Sequence, residues 1–188
     1  MIQAHQFMAI ALLVTTISAC AISPTQTQST HSQPMSRNAS GFIQTNYDAA
    51  DALNDSASQR RELSKSMPIL VATLVNIDSL TESSRLGRII SEQLQARLSQ
   101  HGYAVVELKI RGNLFVKQDQ GELLLSREIR DITTSHKAQA VVVGTYAVAS
   151  NNIFINLKVV GTDNIIVGTY DYMLQIDPDT RALLNGKR

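Results

Sequence analysis

The C-terminal part of the chain decides the fold: AVVVGTYAVA at residues 140–149, IFINLKVV at residues 153–160 and NIIVGTYDYMLQI at residues 164–176. These segments are rich in β-branched and aromatic residues, which favour strands. The links between them, SNN at residues 150–152 and GTD at residues 161–163, are short and contain turn-forming residues. The pattern therefore predicts three successive strands joined by two hairpins.

The middle strand of this meander also predicts a surface. Successive side chains of a strand point to opposite faces, so Phe154, Asn156 and Lys158 lie together on one side. A face that carries an amide and an ammonium group is not a buried one. We therefore expect a partly exposed sheet surface around these three residues.

The segment before the meander predicts helices that alternate with strands. Apolar residues at helical spacing predict a helix over residues 46–66, and ILVATLVNI at residues 69–77 predicts a strand buried on both faces. A capping box of Ser79 and Glu82 is expected to open a long helix that ends near Gln100. Its expected buried stripe consists of Leu86, Ile89, Ile90, Leu94 and Leu98.

Further elements complete the predicted order. Residues 103–110 predict a second strand, residues 114–116 a short third piece, and residues 122–138 a helix. Asp177 to Thr180 are expected to cap a short C-terminal helix that contains Leu183 and Leu184. The order predicts an α/β (α+β) fold: a mixed sheet built from a βαβα half and a C-terminal three-stranded antiparallel meander, covered by helices.

The N-terminus predicts export and lipid attachment. The apolar run FMAIALLVTTI at residues 7–17 is shorter than the roughly 20 residues that span a bilayer, but it suits a secretory signal. Small residues precede Cys20, the only cysteine, so we expect cleavage between Ala19 and Cys20 and lipid on the Cys20 thiol. Because residues 1–6 contain no Lys or Arg, an ordinary secretory signal and an apolar N-terminus on a cytoplasmic protein stay open as alternatives.

These features divide the chain into three parts. Residues 1–19 are the predicted signal peptide, residues 20–44 a lipidated Cys with a polar, flexible tether, and residues 45–188 a single domain. Ala21 follows the cysteine where an Asp would favour the inner membrane, so the sorting rule of Gram-negative lipoproteins indicates the outer membrane.

Composition excludes several classes of function. The net charge of +1 gives no electrostatic basis for binding nucleic acid, and a single cysteine cannot form an intrachain disulfide. No catalytic, cofactor-binding or metal-binding motif is present, so we expect neither an enzyme nor a cofactor. His5 and His31 lie near the N-terminus, while His101 and His136 lie near predicted helix ends, where the helix dipole favours a cation.

Two weaker candidates for binding remain. The turn at residues 76–79 follows a predicted strand and precedes a helix, a position where open α/β sheets often bind small ligands, although Asp78 and Ser79 are also ordinary capping residues. Lys109, Arg111 and Lys117 form a loose basic run that would serve as a rim for a partner.

Several of these segments together resemble the FlgO family of flagellar outer-membrane lipoproteins. The similarity lies in VVVGTY at residues 141–146, INLKVV at residues 155–160 and IIV at residues 165–167, together with SRLG at residues 84–87 entering the long helix. It covers roughly residues 45–176 and agrees with a lipidated Cys20.

The resemblance implies a non-enzymatic protein anchored to the outer membrane through lipid on Cys20, its domain on the periplasmic face, with protein partners at the flagellar basal body. It implies a contribution to flagellar assembly, stability or motility. The alternative is an envelope lipoprotein whose binding or secretion-accessory module is related to curli-secretion proteins or to the N-terminal domain of TolB.

Overall fold

The structure is a computed structural model that describes residues 37–80, 82–108 and 122–185. Its elements in chain order are α1 (Arg37–Ser58), β1 (Ile69–Ala72), β2 (Val75–Asn76), α2 (Arg85–Gln100), β3 (Val105–Leu108), α3 (Glu122–Ser135), β4 (Ala140–Val148), β5 (Asn152–Gly161), β6 (Ile166–Gln175) and α4 (Pro178–Asn185). The predicted fold class is confirmed, because helices cover a mixed sheet with a parallel half and an antiparallel half.

The strands form one sheet in the order β3-β1-β4-β5-β6, with β2 pairing beside β4. β1 lies parallel to both β3 and β4, while β4, β5 and β6 form the antiparallel meander that the sequence predicts. The chain crosses from β1 to β3 through α2 and returns to β4 through α3. These two crossovers have the same handedness but run in opposite directions across the sheet. Their helices, α2 and α3, therefore lie on opposite faces.

The two faces of the sheet are covered unequally. On one face α1, α2 and α4 bury a large core that contains Leu53, Leu94 and Ile155, each at most 1% exposed. On the other face α3 packs through Ile129 and Ile132 over β1 and β4. Val160 of β5 belongs to the same cluster. Beyond the end of β4 and β5 that contributes to this cluster, no described helix covers the antiparallel half of that face.

The first helix begins earlier and ends earlier than the sequence predicts. The sequence predicts it over residues 46–66, but α1 spans Arg37–Ser58, so its first turns occupy part of the tether predicted at residues 20–44. Phe42 packs against the core, and this tertiary contact supports helix where local composition predicts coil. The N–H groups of Arg60 and Arg61 both donate to the Ala57 carbonyl oxygen and close the helix.

The predicted strand over residues 69–77 is two strands with a break between them. β1 ends at Ala72 and β2 begins at Val75, and the intervening Leu74 N–H donates to the hydroxyl of Ser91 on α2 at 2.9 Å. The side chain of a buried serine thus replaces a sheet hydrogen bond. Periodicity alone does not reveal such a tertiary partner.

The capping-box prediction at Ser79 and Glu82 is wrong, because Ser84 is the N-cap of α2 and its hydroxyl accepts from the Gly87 N–H at 3.2 Å. The predicted end near Gln100 is confirmed, with His101 as C-cap and Gly102 at a φ of +85°. α3 is a helix as predicted. The strand piece predicted at residues 114–116 lies outside the described residues.

The C-terminal elements follow the sequence closely. Both predicted hairpins of the meander form, and the strands agree with prediction to within a few residues. The N-terminus of α4 is capped as expected: the Thr180 N–H donates to the Asp177 carboxylate, and the Asp177 N–H donates to the Thr180 hydroxyl, both at 2.8 Å. The Thr180 N–H and the Thr180 hydroxyl, which lies 2.8 Å from the same carboxylate oxygen, lower the pKa of Asp177.

Candidate functional site

The part of the antiparallel half that no described helix covers is the principal candidate for function. Along β5, Ile153, Ile155 and Leu157 are fully buried in the large core, while Phe154 and Lys158 on the other side are exposed. The predicted exposed surface is therefore confirmed. We call it the open sheet face and define it by Thr145, Phe154, Asn156, Lys158, Thr169, Asp171 and Met173, which the strand register brings to the same side.

The register orders the open sheet face into rows across three strands. Phe154 lies opposite Met173, Asn156 opposite Asp171, and Lys158 opposite Thr169. The Asn156 side-chain amide donates to the Asp171 carboxylate at 2.9 Å. The apolar row thus lies at one end of the face, beside a hydrogen-bonded polar row.

The exposed apolar side chains of the molecule concentrate here. Seven large hydrophobic side chains are exposed among the described residues, and four of them, Ile77, Phe154, Ile166 and Met173, lie on or beside this face with exposures of 40–56%. A groove of about 520 Å³ runs from Ile77 across Thr145 and Asn156 to Ile166, and Phe154 and Met173 lie outside its lining. Clustered apolar surface around polar groups is typical of protein interaction sites.

Sequence reasoning found Phe154, Asn156 and Lys158 but missed Met173 and Ile77. The alternation of Thr169, Asp171 and Met173 with Tyr170, Tyr172 and Leu174 along β6 would have identified Met173. Ile77 has no such signal, because it lies in an apolar run that predicts a strand buried on both faces. In the structure its side chain is 50% exposed in the turn after β2.

The other predicted candidate, the turn at residues 76–79, is closed by its own hydrogen bonds. The Asn76 side-chain oxygen accepts from the Asp78 N–H at 3.0 Å, and the Asn76 carbonyl oxygen accepts from the Ser79 N–H at 3.2 Å. Since α2 begins at Arg85, its first N–H groups do not follow this turn directly. The geometry offers a tight turn and no preformed cradle for a ligand.

The remaining predicted site residues fall outside the described residues. These are Ala19 and Cys20 at the expected cleavage and lipidation site, and the basic run of Lys109, Arg111 and Lys117. In the part of the chain that the structure describes, no three His, Cys, Asp or Glu side chains come together to hold a metal ion. Within the same residues, no helix has the length and apolarity needed to cross a bilayer.

A charged cluster joins α1 to α2 on the covered face. The Arg97 guanidinium donates to both Asp51 carboxylate oxygens at 2.7 Å, and His101 Nε2 lies 2.6 Å from Asp51 Oδ1. The hydrogen bonds from Arg97 outweigh the cost of desolvation and, with those of His101, lower the pKa of Asp51 to about 2. The position of His101 at a helix C-terminus is as predicted, and this cluster holds two helices together.

Replacing Asp51 with asparagine is expected to lower the free energy of unfolding by about 1–2 kcal/mol at pH 7, since the side chains are about a third exposed and solvent weakens the pair. Because the pKa of Asp51 is lowered in the folded state, its contribution is present above pH 4 and lost between about pH 4 and 2.

Urea denaturation of the wild type and Asp51→Asn at pH 7 and pH 2 checks this, with a difference expected only at the higher pH. Asp55→Asn, an exposed change on the same helix, is the matched control and is expected to stay within about 0.5 kcal/mol of the wild type. Equal stability of all three proteins at pH 7 would contradict a stabilising role for the Asp51–Arg97 pair.

Comparison with solved structures found several of low similarity. The C-terminal domain of LpoB from Salmonella enterica is 15% identical with a TM-score of 0.47, covering 69% of this chain and all of that one. The NMR structure of LpoB from Escherichia coli is 13% identical with a TM-score of 0.47, covering 93% of this chain and 88% of that one. A PelC dodecamer from Paraburkholderia phytofirmans is 12% identical, with a TM-score of 0.45 and coverages of 65% and 84%. No conclusion about function follows from similarity at this level.

Comparison by sequence is more informative. No curated protein matches the chain. The family described as FlgO protein matches residues 47–179, from α1 to the start of α4, and so includes the whole sheet and the open sheet face. This confirms the resemblance drawn from the strand and turn segments. The chain belongs to the FlgO family.

Proposed function

We propose that this protein is a non-enzymatic lipoprotein of the outer membrane that contributes to flagellar assembly, stability or motility. The observation that carries the proposal is the family match over residues 47–179. The sequence up to Cys20 supports an envelope lipoprotein independently, because a short apolar run before a lone cysteine suits a lipoprotein signal.

The anchor follows from the chemistry of Cys20. Each acyl methylene buried in the membrane contributes about 0.8 kcal/mol, and stable attachment takes more than one chain. A mature bacterial lipoprotein carries several chains on its N-terminal cysteine, so the proposed protein stays on the membrane. Because α1 begins at Arg37, residues 20–36 are left as the proposed tether between lipid and domain.

Within this function, the open sheet face is the proposed site for a protein partner. Its apolar row of Phe154 and Met173 would lose contact with water on binding, and the polar row of Asn156 and Asp171 would orient the partner. An apolar patch with polar groups beside it favours specific protein binding.

A deletion strain tests the flagellar role. We expect reduced swimming in soft agar and fewer or detached flagella by electron microscopy, both restored by the wild-type gene. Cys20→Ser, expressed at an equal level, is expected to leave the membrane fraction and to fail to restore swimming. Normal swimming and normal flagella in the deletion strain would refute the flagellar proposal, and membrane retention of Cys20→Ser would refute the anchor.

Replacing Phe154 with threonine is expected to weaken partner binding about tenfold, the equivalent of about 1.4 kcal/mol, since it removes exposed apolar area from the open sheet face. Stability is expected to stay within about 0.5 kcal/mol of the wild type, because the side chain is half exposed and threonine suits a strand. Swimming of the complemented strain reports the loss.

The matched control is Met67→Thr, which removes a side chain of similar exposure (45% against 48%) outside the strands. We expect Met67→Thr to swim like the wild type and Phe154→Thr to swim more slowly. Equal swimming of the two variants at equal protein levels would contradict a role for the open sheet face.

A further inference from the structure

β6 is an edge strand of unusual length for an unprotected edge. It is ten residues long, and among the described strands it pairs only with β5. Natural proteins protect such edges with lysine, proline or a bulge. The segment YDYMLQ at residues 170–175 contains neither lysine nor proline, and the bulge lies at the other end of the hairpin, between Val159 and Val160.

One hydrogen bond shows which backbone N–H groups of β6 point away from β5. The Thr169 N–H donates to the hydroxyl of Ser56 on α1, so it points away from β5. Strand N–H groups alternate in direction, so those of Asp171, Met173 and Gln175 also point outward. Across the described residues 37–80, 82–108 and 122–185, no hydrogen-bond partner reaches these three N–H groups.

We infer that β6 pairs with β6 of a second copy of this chain, antiparallel and centred on Met173. In this register Met173 faces Met173 of the second copy, and Asp171 faces Gln175. All three outward-pointing residues form hydrogen-bonded pairs, which makes six backbone hydrogen bonds across the two-fold axis.

Neighbouring registers are worse for identifiable reasons. Centring the pair on Asp171 places two carboxylates opposite each other, which is unfavourable on a sheet. Centring it on Tyr172 requires the N–H of Thr169, which Ser56 already binds. The register in which Met173 faces Gln175 places the carboxylate of Asp171 opposite that of Asp177, which is unfavourable for the same reason. The register centred on Met173 avoids all three problems.

The pairing also joins the two open sheet faces. A two-fold axis perpendicular to the sheet keeps the same face of both copies on one side. Phe154 and Met173 of one copy then continue into Met173 and Phe154 of the second, as a single apolar row across four strands. Pairing over residues 171–175 of each copy gives a small interface of the transient class, so crosslinking in place is a better assay than sedimentation.

Cysteine crosslinking of the full-length chain in bacterial cells tests the dimer. The Cα atoms of a hydrogen-bonded antiparallel pair lie about 5.5 Å apart, within the range for a disulfide, so Met173→Cys is expected to crosslink on mild oxidation. Phe154→Cys lies on the same face but one strand further in, so its copies are about 15 Å apart. We expect at least about tenfold more dimer from Met173→Cys. The wild-type protein, whose only cysteine is Cys20, is the control for any dimer that forms without the introduced cysteine.

Two differently tagged chains test the register. Asp171→Cys in one and Gln175→Cys in the other are expected to crosslink to each other, whereas Asp171→Cys is not expected to crosslink to itself. Equal dimer from Met173→Cys and Phe154→Cys, self-crosslinking of Asp171→Cys, or capture of a different protein alone would each overturn the inference. The result does not depend on motility, so it stands or falls separately from the flagellar proposal.

Discussion

Gly87→Ala is expected to lower the free energy of unfolding by about 3 kcal/mol, although alanine is the better helix former. Gly87 lies in the first turn of α2, where a Cβ atom would be 2.4 Å from the carbonyl oxygen of Leu74. It would also be 2.9 Å from Ser83 Oγ and 3.1 Å from a ring carbon of Tyr146. The nearest of these atoms is backbone, so it cannot move without shifting the chain between β1 and β2.

That shift disturbs a linked set of hydrogen bonds. The Ser83 hydroxyl donates to the Leu74 carbonyl oxygen at 2.8 Å, and the Ser84 N–H donates to the Tyr146 hydroxyl at 3.1 Å. Moving α2 away from the sheet lengthens both bonds and loosens the helix N-cap. The loss therefore exceeds the gain of about 1 kcal/mol that alanine brings to a helix.

Gly41→Ala is the matched control, since the same substitution is made within a helix but with open space around it. No atom lies within 4 Å of the Cβ position at Gly41. We expect a gain of about 0.5–1 kcal/mol there, from helix propensity alone. Urea denaturation followed by circular dichroism gives both values. Effects of the same sign at the two positions would refute the close packing of α2 on Leu74.

Asn46→Ala is expected to cost about 3 kcal/mol, because it removes a buried side chain and leaves the partly buried Gln93 and Tyr172 without their partner. Asn46 is 0% exposed, its side-chain oxygen accepts from the Tyr172 hydroxyl at 2.6 Å, and its amide donates to the Gln93 side-chain oxygen at 2.6 Å. These bonds join α1 to both β6 and α2. Burial also raises the pKa of Tyr172 well above its ordinary value, so the hydroxyl stays a donor at neutral pH.

A double-mutant cycle separates this network from simple packing. Tyr172→Phe alone is expected to cost about 1 kcal/mol, and the double variant about 1 kcal/mol less than the sum of the two single changes. Gln44→Ala, on the exposed side of α1, serves as control and is expected to stay within about 0.5 kcal/mol of the wild type. Additive costs in the cycle would show that the Asn46–Tyr172 bond contributes nothing.

The meander was predictable because its signal is local. Strand periodicity and the turn residues at its two links depend only on neighbours in the chain, and the hairpins place those neighbours side by side. The same alternation separates Phe154 and Lys158 from the buried residues between them. Three of the seven residues that define the open sheet face therefore follow from the β5 sequence alone.

The boundaries of the other elements were less predictable because their causes lie far away in sequence. Ser91 interrupts the first strand by binding Leu74, and Phe42 extends α1 by packing on the core. Each contact joins residues that only the fold brings together, so no local sequence pattern predicts it. The capping box at Ser79 and Glu82 fits the motif, yet a serine five residues later forms the cap.

The sequence by itself determines the fold class, the three-stranded meander and the family, since these depend on local hydrophobic periodicity, turn residues and short motifs. It also carries the expectation of a lipidated Cys20. Only the tertiary structure decides which sheet face stays open and which strand forms the edge. Helix coverage and strand order are results of long-range packing: α1, α2 and α4 all pack on one face, and the chain leaves β6 with one neighbour.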